Sequence, residues 1–194
     1  MTTTATGTIA PWASTAPDPT AAQRAMRLHF GLWMFLATVT MLFAALSSAY
    51  LVRRSGTDWR PVALPSLVWW NTLVLAASSA VLELGRRRRA ELGLATGLAG
   101  ASLLAGVFIV GQVGLWRALA AQGIYLLTNP HSSFIYLLTG VHAVHLLAAL
   151  VVMLVTLATL GGRRDADTRA ALCATFWHFL TGAWVYLLAL VTWV

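Results

Sequence analysis

The run SSFIYLLTGVHAVHLLAALVVMLVTLATL occupies residues 132–160 and contains no Asp, Glu, Lys or Arg. A helix of about 20 predominantly apolar residues crosses the roughly 30 Å of hydrocarbon in a bilayer. The run therefore predicts a membrane-spanning helix, long enough to tilt or to project beyond the bilayer. It also places His142 and His145 three residues apart, where lipid is expected.

Imidazoles in such a place have three competing explanations. They can bind a metal ion or haem, carry protons through the membrane, or form hydrogen bonds between helices of a bundle. An ionisable residue within a membrane span is a functional-site hypothesis by default. A neutral imidazole is also the least costly such group to bury, so all three explanations are open at this point.

Four further apolar runs accompany the first in this chain of 194 residues, which is 59% hydrophobic and only 10% charged. So few charges cannot cover the surface of a soluble domain of this length. The composition predicts an all-α, five-helix integral membrane bundle. Its expected spans are residues 28–52, 67–85, 92–116, 132–160 and 170–194, which together form one membrane domain. Residues 1–27 are rich in Thr, Ala and Pro and lack an apolar core, so we expect a flexible cytoplasmic tail rather than a signal peptide.

The arginines predict the orientation of the bundle, because cytoplasmic loops carry an excess of basic residues. Nine arginines lie on the amino-terminal side of the membrane and four on the other side, so we expect the amino terminus inside and the carboxyl terminus outside. The nine are Arg24, Arg27, Arg86, Arg87, Arg88, Arg89, Arg163, Arg164 and Arg169, and the four are Arg53, Arg54, Arg60 and Arg117.

The remaining charge and cysteine content excludes other classes of protein. The net charge of +7 comes from arginines at the ends of apolar runs, without an interleaved aromatic face, so nucleic acid is not an expected partner. The single Cys173 excludes an internal disulfide and argues against a cysteine metal site.

Among the acidic residues, Glu83 comes closest to a span interior, and its spacing predicts an ion pair with Arg87. The lack of a carboxylate near any span centre argues against an autonomous pump or transporter.

The depth of the histidines bears on the haem hypothesis. Two axial ligands on facing helices must lie at nearly the same level. From the expected spans, His145 lies 15 residues from the inner end of its span and His178 eight from the inner end of its own. At 1.5 Å per residue, the two depths differ by roughly 10 Å. This favours interhelical hydrogen bonds over a haem site, with a proton relay as the weaker alternative.

Small residues in the third span predict close helix packing. Gly93, Gly97, Ala101 and Ala105 recur at intervals of four and form a stripe along one face of a helix. Lipid removes most of the hydrophobic drive between helices, so backbones approach where side chains are small. We expect another helix to contact this stripe.

Four stretches of this chain resemble subunit III of the haem–copper terminal oxidases, the cytochrome c oxidase type. GLWMFLATVTMLFAALSSAYLVRR (31–54) resembles the first segment of the five-helix core, and WRPVALPSLVWWNTLVLAASS (59–79) resembles the W-x-P-x-x-LP region of bacterial members. SSFIYLLTGVHAVHLLAAL (132–150) is similar to the TG-x-H-x-x-H segment, and FWHFLTGAWVYLLAL (176–190) to the WHF-x-x-x-x-W segment. The residues that match the two motifs are Thr139, Gly140, His142, His145, Trp177, His178, Phe179 and Trp184.

The resemblance implies a short bacterial form, in the bacterial cytoplasmic membrane, that carries no catalytic residue, cofactor or metal of its own. Haem and copper in this family are held by subunits I and II, and subunit III packs against and stabilises catalytic subunit I. Members sustain proton uptake and protect the proton-pumping, oxygen-reducing enzyme during aerobic respiration. Many hold phospholipid, so membrane lipid is an expected partner and a larger respiratory supercomplex a candidate assembly.

Two departures from the family pattern remove carboxylates. Val39 stands where many members carry a glutamate, and Thr181 stands where many carry an aspartate, which argues against a proton-handling role for this subunit itself. The alternatives are the equivalent subunit of a quinol oxidase or nitric oxide reductase, and a haem-binding membrane anchor.

Overall fold

Five long helices, without a strand among the described residues, build the protein in the computed structural model, which describes residues 19–88, 93–160 and 166–193. They are α1 (Pro19–Arg54), α2 (Leu67–Arg87), α3 (Leu94–Ala121), α4 (Pro130–Ala158) and α5 (Ala166–Trp193). All five are long and apolar enough to cross a membrane. The predicted all-α bundle with five spans is confirmed.

Local sequence explains where the helices begin and end. Pro130 occupies the first turn of α4, and the side chain of Asn129 accepts a hydrogen bond from the backbone N–H of Ser132 at 3.1 Å. The hydroxyl of Ser132 accepts in return from the backbone N–H of Asn129 at 3.2 Å. This capping box satisfies two of the N–H groups that a helix start leaves unpaired. Pro61 and Pro65 lie in the non-helical segment between α1 and α2.

The helix bounds differ from the expected spans mainly at the first helix. α1 begins at Pro19, nine residues before the expected start, so part of the predicted tail is helical. Ala, Gln and Arg in residues 21–27 favour helix and can project from the hydrocarbon as a polar first turn. α3 continues to Ala121 and α5 starts at Ala166, both beyond the expected spans. Residues 1–18 lie outside the described part of the chain.

Four of the helices form a closed ring around one core. α2 packs against α3, α3 against α4, α4 against α5, and α5 against α2. α1 lies outside this ring and packs on α4 and α5. A second, smaller cluster lies beneath α1, where its side chains meet those of α4 and α5: Val39, Phe43, Tyr50, Leu138, Leu187 and Leu190.

Candidate functional site

His178 joins α5 to α2 through two side chains. Its Nδ1 lies 2.5 Å from the hydroxyl of Ser79, and its Nε2 lies 3.4 Å from a carboxylate oxygen of Glu83. Glu83 also accepts from Arg87 at 2.6 Å and from Arg86 at 3.0 Å. The predicted ion pair of Glu83 with Arg87 is confirmed, and so is the predicted interhelical hydrogen bonding in the case of His178.

His142 is fully buried and surrounded by aromatic rings. Its ring centroid lies 5.2 Å from that of Trp184, 6.3 Å from that of Phe43 and 6.4 Å from that of Phe108. Among the described residues, neither of its ring nitrogens has a hydrogen-bond partner. The predicted direct interhelical hydrogen bond is therefore wrong for His142, because aromatic side chains from α1, α3 and α5 occupy its surroundings.

His145 bonds within its own helix. Its Nδ1 lies 2.8 Å from the carbonyl oxygen of Val141, one turn earlier, and its ring lies 5.7 Å from that of Phe43. The predicted interhelical bond is wrong here as well, since the nearest acceptor is the carbonyl of the preceding turn. The two histidines of the H-x-x-H motif thus have different surroundings despite their shared helix face.

The depths of the histidines are closer than the sequence predicted. The ring contact between His142 and Trp184 sets the register of the antiparallel helices α4 and α5. His178 lies six residues before Trp184, which places it level with position 148 and three residues from the level of His145. At 1.5 Å per residue, their depths differ by about 4–5 Å, so the predicted difference of roughly 10 Å is wrong. Its cause is the four residues by which α5 starts earlier than its expected span.

Other features now argue against axial haem ligation. An axial imidazole must offer one nitrogen to iron, and both nitrogens of His178 are directed at Ser79 and Glu83. His142 is enclosed by aromatic rings, which leaves no room for a macrocycle at its edge. Across residues 19–88, 93–160 and 166–193, no three His, Cys, Asp or Glu side chains are grouped closely enough to hold a metal ion.

Trp184 and Thr139, two residues of the family motifs, form hydrogen bonds between neighbouring helices. The indole N–H of Trp184 donates to the hydroxyl of Thr72 on α2 at 2.9 Å. The hydroxyl of Thr139 accepts from the indole N–H of Trp116 on α3 at 3.0 Å. These bonds link α5 to α2 and α4 to α3, which are two sides of the helix ring.

The other motif residues are structural or outward-facing. Trp177 is fully buried in the core, and Phe179 packs against both apolar clusters. A Cβ at Gly140 would meet nothing within 4 Å, so this position faces outward. At the departures from the family pattern, Val39 is buried on the inner face of α1, and the hydroxyl of Thr181 donates to the carbonyl of Trp177 at 3.0 Å.

The small-residue stripe of α3 packs against α2. A Cβ at Gly97 would lie 2.7 Å from the Cα of Gly85, and Ala101 is buried with its carbonyl accepting from Ser78 at 2.9 Å. Gly93 precedes α3 and has a φ of 73°, a conformation that favours glycine. It serves the helix start and also adjoins α2, since its carbonyl oxygen lies 3.7 Å from where a Cβ at Gly85 would stand.

Three more buried polar residues lie at helix contacts, and sequence reasoning missed His131 and Gln112 among them. His131 lies against Trp59, with ring centroids 4.9 Å apart, and its Nδ1 accepts from the backbone N–H of Val62 at 2.8 Å. The side chain of Asn71 donates to the carbonyl of Phe108 at 3.2 Å, which joins α2 to α3. Gln112 is buried in α3. An amide within an apolar run was the available signal for Gln112.

The chain is similar to known proteins over most of its length. It is 28% identical over 172 residues to cytochrome bo(3) ubiquinol oxidase subunit 3 of Pseudomonas aeruginosa, covering 84% of this chain and 82% of the relative. It is 29% identical over 174 residues to cytochrome c oxidase subunit 3 of Synechocystis, covering 84% and 73%. The same subunit of Bacillus sp. PS3 is 26% identical over 188 residues, covering 91% and 90%. These similarities support the cytochrome c oxidase subunit III family.

No family model matches the chain. The oxidase subunit III relatives are bacterial, and the five helices are long enough to span a bilayer, so the chain is a multi-pass protein of the bacterial cytoplasmic membrane. The resemblance carried by its TG-x-H-x-x-H and WHF segments is confirmed.

Proposed function

We propose that this chain is the non-redox supporting subunit III of a proton-pumping, oxygen-reducing haem–copper oxidase. In this role it packs against the catalytic subunit I, in a complex that also contains subunit II. Haem and copper belong to those partner subunits, and membrane phospholipid is a further ligand. Similarity to oxidase subunits III over 84–91% of the chain carries the proposal.

The arrangement of the histidines favours a structural role for this chain over a redox role. His178 forms contacts between α2 and α5, His145 bonds to its own helix, and His142 is enclosed by rings. Each imidazole thus contacts other groups of this chain.

The outer faces of the bundle supply surface for a partner helix or lipid. Large apolar side chains are exposed along α1, including Phe30, Trp33 and Met41. Gly31 on α1 and Gly106 on α3 have open space where a Cβ would stand. Small outward residues allow a second helix to approach closely within a membrane. Packing against subunit I requires such a surface.

The electron donor of the proposed oxidase is cytochrome c or a quinol. Similar proteins include subunits named for both kinds of enzyme, a cytochrome c oxidase and a ubiquinol oxidase. Activity of the purified complex with reduced cytochrome c or with a soluble quinol distinguishes the two.

Co-purification from native membranes tests the proposal. An affinity tag on this chain should recover, in mild detergent, a haem-bearing catalytic subunit and subunit II, identified by mass spectrometry and optical spectrum. Gly97→Leu serves as the comparison, because disruption of the α2–α3 contact should reduce recovery. Recovery of this chain without any oxidase subunit would contradict the proposal, as would haem that stays with this chain after the other subunits are removed.

A further inference from the structure

Gln112 and His142 are the clearest departure from the hydrogen bonding of the bundle interior. Their exposed fractions are 2% and 0%. Within the described ranges, both polar atoms of the Gln112 amide and both ring nitrogens of His142 are without a hydrogen-bond partner. Neighbouring polar groups such as Asn71, Thr139 and Trp116 are all bonded. Buried polar atoms normally have a partner in the protein or in ordered water.

The helix register places these two side chains on facing surfaces. Gln112 lies one turn after Phe108, whose ring is 6.4 Å from that of His142. It also lies one turn before Trp116, which donates to Thr139. Residues four apart share a helix face, so Gln112 sits between two residues of α3 that contact α4. Thr139 and His142 are themselves one turn apart on α4. The two unpartnered side chains therefore meet at the same level of the α3–α4 interface.

The chemistry of the two groups fits a bridging water molecule. A Gln amide offers two donor hydrogens and an acceptor oxygen, and a neutral imidazole offers one donor and one acceptor. A water molecule both donates and accepts, so it can bond to both side chains. An ion is a poor occupant, because no cluster of three His, Cys, Asp or Glu lies anywhere in the described residues.

A small cavity lies beside this level of the α3–α4 interface. A cavity of about 20 Å³ is lined by Leu115, Thr139 and Trp184 among others. Leu115 lies three residues from Gln112, Thr139 lies three residues from His142, and Trp184 contacts the ring of His142. A single water needs roughly 10–15 Å³ of such space. Neither Gln112 nor His142 lines this cavity, so it shows loose packing beside the two side chains and is not itself the space between them.

We propose that Gln112 and His142 form a binding site for an internal water molecule, which bridges the amide of α3 to the imidazole of α4. The bridge supplies the partners that both side chains otherwise lack. It also gives His142 a role in joining helices without a direct hydrogen bond. Because the site lies within this chain, it does not depend on the identity of the subunits that surround it.

A high-resolution map of the purified complex, or of the full chain in detergent, tests the site directly. We expect density for one molecule within about 3 Å of Gln112 and of a His142 nitrogen. A map in which Gln112 bonds directly to His142, or in which the space between them holds no density, would overturn the proposal.

A double-mutant cycle tests the coupling between the two residues. Gln112→Met and His142→Leu each leave the other polar group with a worse environment, so each should lower the melting temperature by roughly 2–4 °C. The double variant removes both polar groups, so its melting temperature should fall by no more than that of the less stable single variant. Additive losses would contradict the bridge.

A matched control uses Thr156→Val, whose hydroxyl bonds to the carbonyl of Val152 within α4. Combined with Gln112→Met, it should give additive losses, since the two residues share no partner. Equal non-additivity in this control pair would show that the coupling of Gln112 with His142 is not specific, and it would overturn the mutational support.

Discussion

The hydroxyl of Ser79 and Nδ1 of His178 lie 2.5 Å apart, and this contact joins α2 to α5 on the side of the helix ring opposite the α3–α4 interface. The other nitrogen of His178 faces Glu83, which is itself held by Arg86 and Arg87. One imidazole thus connects a helix contact within the bundle to the arginine-rich end of α2.

Replacement of His178 by Leu should weaken the α2–α5 contact, while His178→Gln should be tolerated. Gln keeps a donor and an acceptor, whereas Leu leaves Ser79 and Glu83 without this partner. Because the imidazole is partly exposed, the loss for Leu should be at the low end of about 1–3 kcal/mol. Thermal unfolding of the full chain in detergent measures it. His145→Leu is the comparison, since His145 bonds only its own backbone among the described contacts. Equal damage from Gln and Leu at position 178 would indicate a different role, such as a proton relay.

Gly97→Ala should destabilise the bundle by about 1–3 kcal/mol, because a Cβ there would overlap the backbone of Gly85. Gly106→Ala is the matched control in the same helix, since its Cβ would meet nothing within 4 Å. The control should be neutral or slightly stabilising, because Ala favours helix over Gly. Melting temperatures of the two variants in the same detergent should therefore differ clearly. Equal melting temperatures would show that α2 and α3 do not approach each other closely at Gly97.

The arginine distribution predicts which loops face the cytoplasm. A cysteine placed at Arg88 should react only with reagent added from the cytoplasmic side, and one at Thr57 only from outside. Cys173 is buried, so its background reaction should be small. Vesicles of opposite orientation supply the two sides for the measurement. Reversed reactivity would contradict the predicted topology while leaving the helix packing intact.

Acid should open the loop after α1. Arg53 donates two hydrogen bonds to Asp58, and these bonds hold the pKa of the Asp58 carboxyl below its ordinary value of 3.8. A group whose pKa is lowered on folding stabilises the fold above its unfolded pKa, and this contribution is lost as the pH falls through the folded value. The protection of the amides of residues 53–59 against hydrogen exchange, relative to their intrinsic rates at each pH, should therefore fall below about pH 4. Asp58→Asn should show low protection at every pH. An unchanged pH response in that variant would assign the effect to another group.

The sequence predicted the five helices because each apolar run is long and punctuated by charge, Pro or Gly. It predicted the ion pair of Glu83 with Arg87 because residues four apart adjoin on a helix. Both predictions depend only on local spacing.

The partners of the histidines depend on how helices are arranged around them, which no local pattern encodes. His142 and His145 share a face, yet Phe108 and Trp184 surround the first, and the backbone carbonyl of Val141 accepts from the second. The predicted difference in depth between His145 and His178 was wrong because α5 begins four residues before its apolar run. An apolar run marks the part of a helix that lies in hydrocarbon, and charged or polar residues before it can still be helical. Gly93 lies in the spacing of the packing stripe, but its positive φ places it before α3.

Oxygen consumption by the purified complex, measured with and without this chain alongside its optical spectrum, tests the proposed supporting role most directly. Removal of the chain should leave the haem absorbance per catalytic subunit and the initial rate near normal, while the rate decays faster during turnover. Restored chain should slow that decay. A proportional loss of haem absorbance on removal, or an immediate loss of the initial rate with intact haem, would contradict a non-redox supporting subunit.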